Sequence, residues 1–71
     1  MTGRIVQVSG SVIDVLFEAG GLPKINDALT VEIEGKTLVM EVAQHIGQNM
    51  VRCIMLAGSE GMSKGLEVNA T

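Results

Sequence analysis

LTVEIEGKTLVMEVAQHI, residues 29–46, decides the fold. Leu29, Val31 and Ile33 fall on one side of a two-residue period, with Thr30, Glu32 and Glu34 on the other, which is the signature of a strand with one face in a core. Gly35-Lys36 breaks the run and turns the chain. From Thr37 to Ile46 alternation resumes in the other parity, with Leu38, Met40, Val42 and Ile46 inward. Two strands and a tight turn make a hairpin, and no window of eleven or more residues elsewhere carries a helical stripe. The sequence therefore reads as all-β.

Working outward, residues 3–8 and 12–17 are β-branched runs separated by Ser9-Gly10-Ser11, which is either a turn or a bulge bending one long strand at Gly10. Glu18 to Ala28 holds Gly20-Gly21, the only proline (Pro23) and Asn26-Asp27, and is expected to be the longest loop. Beyond Ile46, Gly47-Gln48-Asn49 turns into a strand from Met50 to Leu56. The stretch GSEGMSKG, residues 58–65, precedes a last short strand, Leu66 to Ala70. Five or six strands in 71 residues favour a small closed Greek-key barrel over an open sheet, because closure removes unpaired edges.

Composition narrows the function. A chain of 71 residues is one small domain. The net charge is −3 and the five basic residues are scattered, giving no concentrated field for a nucleic-acid backbone or an anionic membrane. Phe17 is the only aromatic, so the stacking platform of single-strand binders is missing. The longest apolar runs are far too short to span a bilayer, and Met1-Thr2-Gly3-Arg4 leads straight into a strand pattern without a signal or transit segment. A soluble chain in a reducing compartment is expected, with the single Cys53 a buried thiol among Val51, Ile54 and Met55.

Catalytic groupings do not emerge from the spacing. GSEGMSKG resembles a phosphate-cradling loop but fails it, since Ser63 precedes Lys64, Gly65 follows it, and no helix comes after. His45 is the sole histidine and reads as structural or solvent-facing rather than as a metal ligand. Asp14 interrupts an apolar run; on an alternating strand it is expected to face outward into solvent, as are Glu32, Glu34 and Glu41. The methionines Met40, Met50 and Met55 read as core filling.

Residues 50–56 are apolar at both parities apart from Arg52, so the hairpin register decides which face is core. A two-residue turn at Gln48-Asn49 sets Val51, Cys53 and Met55 inward beside Ile46, Gln44 and Val42. A three-residue turn at Gly47-Gln48-Asn49 instead sets Ile54 and Leu56 inward. The first is expected, because the second aims Arg52 at the core, where an unpaired charge costs several kcal/mol. Ile54 and Leu56 then face outward.

The runs GRIVQVSGSVIDVLF (3–17), LPKINDALTVEI (22–33), LVMEVAQHIGQNMVRCIML (38–56) and GSEGMSKGLEV (58–68) resemble, in order and spacing, the N-terminal β-barrel domain of the beta subunit of F-type ATP synthases. The family commonly has proline or alanine where Ser11 stands, leucine at Met62 and arginine at Lys64. The resemblance implies that residues 1–71 are this barrel alone, without the nucleotide-binding and C-terminal domains, and so without a catalytic, cofactor or metal site; Mg-ATP and ADP belong to the full-length subunit. It further implies a ring of barrels from alternating alpha and beta subunits that holds a hexamer together, peripheral to a bacterial inner membrane or on the matrix or stroma side in an organelle. Arg52, Ile54 and Leu56 are then expected at the contact between neighbouring barrels. Gly10, Gly58, Gly61 and Gly65 are structural turns, the last three in the connection before the final strand. A head-to-tail ring uses two different patches per barrel, so one barrel alone is expected to be monomeric. The equivalent barrel of another rotary or export ATPase, and an unrelated ligand-binding barrel, remain alternatives.

Overall fold

The computed structural model describes residues 1–18, 21–56 and 61–70, and among these the regular structure is all strand. The strands are β1 (Thr2–Ser9), β2 (Val12–Leu16), β3 (Ala28–Ile33), β4 (Lys36–His45), β5 (Met50–Met55) and β6 (Glu67–Ala70). They are hydrogen-bonded in the order β1-β2-β5-β4-β3-β6, with β6 returning to β1, and each neighbouring pair is antiparallel. β3, β4 and β5 follow one another as hairpins and β6 comes back beside β3, which is the Greek-key path. The expected small closed barrel is therefore present, with six strands.

Alternation builds the core. Ile13 and Val15 of β2, Leu29 and Val31 of β3, Met40 and Val42 of β4, and Val51 and Cys53 of β5 are all sealed from solvent, joined by Val68 of β6 and by Ile5, Phe17 and Met55. Apolar side chains repeat every second residue, so each strand delivers its set to the same interior. Phe17 fills the space beside Gly3, where a Cβ would come within 2.9 Å of the ring and 2.8 Å of the Leu16 carbonyl oxygen. A side chain at position 3 has no room.

The turns refine the sequence reading. Ser9 pairs with Val12, so Gly10-Ser11 is a two-residue hairpin loop rather than a bulge, and Gly10 takes φ +62°. The next turn is Glu34-Gly35, one residue earlier than expected, since Lys36 already pairs with Ile33. Both of its residues have positive φ, 51° and 81°, the primed geometry that follows the twist of the strands. The loop expected over Glu18 to Ala28 ends one residue sooner, because Ala28 begins β3. Its last part is tied to β4: the Asn26 N–H donates to the Val42 carbonyl at 2.8 Å, and the Val42 N–H donates to Asp27 at 2.9 Å.

The β4–β5 hairpin corrects the expected register. His45 pairs with Val51 and the Ile46 N–H donates to the Met50 carbonyl at 3.0 Å, so the connection is Gly47-Gln48-Asn49 and not Gln48-Asn49. By itself that would have turned Ile54 inward. A bulge between Val42 and Gln44 restores the parity: Gln44 faces Arg52, but Val42 faces Cys53 and Met40 faces Met55. Val51, Cys53 and Met55 are inward as expected, while Gln44, expected inward, is exposed. Two irregularities of opposite effect give the outcome foreseen from a regular hairpin.

Glu34 holds a left-handed conformation that costs a side-chain-bearing residue about 1–2 kcal/mol. Glu34→Asn, which creates the favoured Asn-Gly pair, is expected to stabilise the barrel by about 0.5–1 kcal/mol and raise its Tm by a few degrees in a thermal melt.

Candidate functional site

The outer face of β2 and β5 carries side chains of two kinds in two rows. In one row Gln7, Asp14, Arg52 and Gln44 are successive cross-strand partners from β1 through β2 and β5 to β4. In the next, Val12 faces Ile54, which faces Glu41. Ile54 is 38% exposed and Leu56, just beyond the end of β5, is 64% exposed. The Leu56 N–H donates to the Val39 carbonyl at 3.3 Å, which keeps the chain on β4 past the strand end. An apolar strip of Val12, Ile54 and Leu56 thus lies beside a polar row.

Asp14 departs from expectation. It is on the outer face, between the inward Ile13 and Val15, yet it is buried rather than solvated. Its cross-strand partner is the cause: Arg52 Nε donates to Asp14 Oδ1 at 2.9 Å and Nη2 donates to Oδ2 at 3.2 Å. A guanidinium edge matches a carboxylate edge with two parallel hydrogen bonds. Alternation predicts the face of Asp14 correctly, but the partner lies 38 residues away in sequence and is invisible without the Greek-key pairing. The pair also explains Arg52, whose guanidinium is held even more firmly protonated than usual by the hydrogen bond to Asp14 and then by its charge.

Directly beneath this pair, Cys53 points into the core. Burial first, and the Asp14 charge second, push its thiol up to about 12. A thiol pushed this high stays protonated near neutrality and is a poor nucleophile, in keeping with the reading of Cys53 as core.

The remaining sequence candidates are scattered. His45 Nε2 donates to the Pro23 carbonyl at 2.7 Å and ties the long loop to the end of β4, a structural role. Glu32, Glu34 and Glu41 are exposed, as expected. Met40 and Met55 are core and Met50 is half-buried. Gly61 and Gly65 take φ of 86° and 91°, and a Cβ on Gly61 would press to 3.2 Å from Ile33; Gly58 lies outside the described residues. Across β6, β1 and β2 runs an open, mostly polar groove lined by Arg4, Leu16, Glu18 and Glu67. Among the described residues no cluster of three or more His, Cys, Asp or Glu could hold a metal ion. Val12 is the member of this apolar strip that sequence reasoning does not reach, since the sequence shows its strand but not its neighbours. Its alternation with Ile13 marked it as outward; only the β2–β5 pairing shows that it faces Ile54.

The fold is thus a closed Greek-key barrel with an apolar strip on its outer wall. Residues 5–71 match the family described as ATP synthase alpha/beta family, beta-barrel domain, and the chain belongs to that family.

The thiol gives a pH test with a defined sign. Because the folded protein raises the Cys53 pKa from its ordinary 9.0 to about 12, the contribution is fully present below pH 9.0 and is lost as pH climbs toward 12. Urea melts from about pH 8 to about pH 11 should show wild type losing up to about 1.4 kcal/mol per pH unit relative to Cys53→Val.

Proposed function

We propose that this barrel is the N-terminal domain of the beta subunit of an F-type ATP synthase, and that it serves as a ring module joining alternating alpha and beta subunits. Family membership supports a rotary-ATPase barrel. The beta assignment rests on the combination EVAQHIG (41–47), VRCI (51–54) and SEGMSKGLEV (59–68), which resembles beta subunits in order and spacing. The contact surface rests on one observation: Ile54 and Leu56, two large apolar side chains, stand exposed on one stretch of the outer wall. Burying them against a neighbouring barrel removes apolar area from water at roughly 25 cal/mol per Å². Arg52 lies in the adjoining row on the same face.

In the full-length subunit, ATP formation from ADP and phosphate, driven by a transmembrane ion gradient, belongs to a nucleotide-binding domain beyond these residues. The subunit would sit peripherally at the cytoplasmic face of a bacterial inner membrane, or on the matrix or stroma side in an organelle. The barrel's contribution is mechanical: it keeps the hexamer closed while other parts move.

Nucleotide assays, thermal melts and subunit assembly test this. Calorimetry and a phosphate-release assay with Mg-ATP on the 71-residue chain are expected to show neither binding nor hydrolysis; stoichiometric binding at micromolar nucleotide would overturn the placing of nucleotide chemistry in a separate domain. In thermal melts, Ile54→Glu, which sets a carboxylate opposite Glu41 but leaves the core intact, is expected to cost about 1 kcal/mol and stay folded, whereas Cys53→Glu, which places a carboxylate in the core, should unfold the chain. Ile54→Glu in the full-length subunit should weaken hexamer assembly. Normal assembly would remove the surface from consideration.

A further inference from the structure

We propose that Asp14 is a positioning residue: by pairing side-on with Arg52 it forms an ion pair of zero net charge whose free guanidinium N–H groups recognise an uncharged carbonyl of the neighbouring subunit's barrel rather than a carboxylate. The inference rests on the docking surface proposed above and specifies the chemistry of its partner.

Three observations carry it. A guanidinium has five N–H groups, and Asp14 takes one from Nε and one from Nη2. The two on Nη1 and the second on Nη2 have no protein partner among the described residues, and the side chain is 43% exposed. Next, the cross-strand row Gln7–Asp14–Arg52–Gln44 carries one negative and one positive charge between two amides, so as a whole it is neutral. A carboxylate brought to Arg52 would meet Asp14 as well, and the repulsion offsets the attraction. A carbonyl oxygen has no such conflict. Finally, the adjoining row is Val12 and Ile54, with Glu41 beyond, so a partner covering the donors also covers apolar surface, where leaving N–H groups unmatched would be costly.

The pairing fixes the direction of the free donors, since rotating the guanidinium would break two hydrogen bonds to a buried carboxylate. Glutamine at position 52 would supply amide donors without that orientation. Lysine would supply charge without the fork.

The test is competition between tagged wild-type and untagged variant full-length subunits for limiting alpha subunit, at about 50 and about 500 mM salt. Arg52→Gln is expected to lose roughly tenfold in incorporation, the scale of one hydrogen bond to a charged donor. The Asp14→Asn/Arg52→Gln double variant, which leaves no unpaired buried carboxylate, should show the same loss with a near-normal melt, separating recognition from folding. Neither ratio should change with salt. Asp14→Asn alone, which unmasks the arginine charge, should lose incorporation and make the ratio salt-dependent. If Asp14→Asn instead incorporates better than wild type and the Arg52→Gln loss shrinks at high salt, Arg52 meets a carboxylate and the proposal is wrong. Should Ile54→Glu abolish incorporation while both Arg52 variants compete equally with wild type, the docking surface stands and this inference alone falls. If Ile54→Glu also competes equally, both fall.

Discussion

Closure through β6 is the constraint on which the barrel depends. This four-residue strand pairs on one side with β1, where Thr2, Gly3 and Arg4 face Asn69, Val68 and Glu67, and on the other with β3, where Leu29 and Thr30 face Ala70 and Asn69. Ile5 extends the β1 seam, accepting from the Gly65 N–H and donating to the Leu66 carbonyl. Without β6 the sheet would have two bare edges, each a row of unpaired N–H and C=O groups. Val68 also fills the interior, so the strand that seals the backbone ladder completes the core. Gly3 belongs to the same solution, because only a residue without Cβ lets β1 lie against Phe17 at this seam.

A closed barrel with a packed interior leaves its outer wall as the place for function, and the wall here is not uniform. Along β3, its turn into β4 and the adjoining part of β4 it presents acids, Glu32, Glu34 and Glu41. Across β2 and β5 it presents an ion pair beside aliphatic side chains. The bulge in β4 keeps Cys53 inward and leaves Arg52, Ile54 and Asp14 on one outer face.

Much of this was legible in the sequence because strand alternation is a local property. Leu29, Val31, Met40 and Val42 are inward as their spacing demands, and Glu32 on β3 is outward. What failed depends on pairing between distant segments. Asp14 looked like a solvated acid since nothing near it in sequence is basic, and its partner is on a strand reached only after three intervening connections. The cost of burying Arg52 fixes the faces of β5, with Val51 and Cys53 inward; the bulge that reconciles a three-residue turn with those faces has no local signature in MEVAQH. For the proposed docking surface, Arg52, Ile54 and Leu56 are legible in the sequence, whereas Asp14 and Val12 come beside them only through tertiary pairing.

Because β6 lies near the far end of these residues and joins β1 near the beginning, the ladder cannot be finished early in synthesis. The β3–β4–β5 hairpins can form from neighbouring chain, but β2 must wait for β5, and β1 for β6. Contacts so widely separated make folding slow relative to a helical domain of similar size, since the entropy of a large loop is lost before the pairing is gained. On the ribosome, the first two strands therefore emerge with exposed edges and an uncovered apolar face, and a nascent chain stalled before Val68 would be a substrate for chaperones or for misassembly with its neighbours.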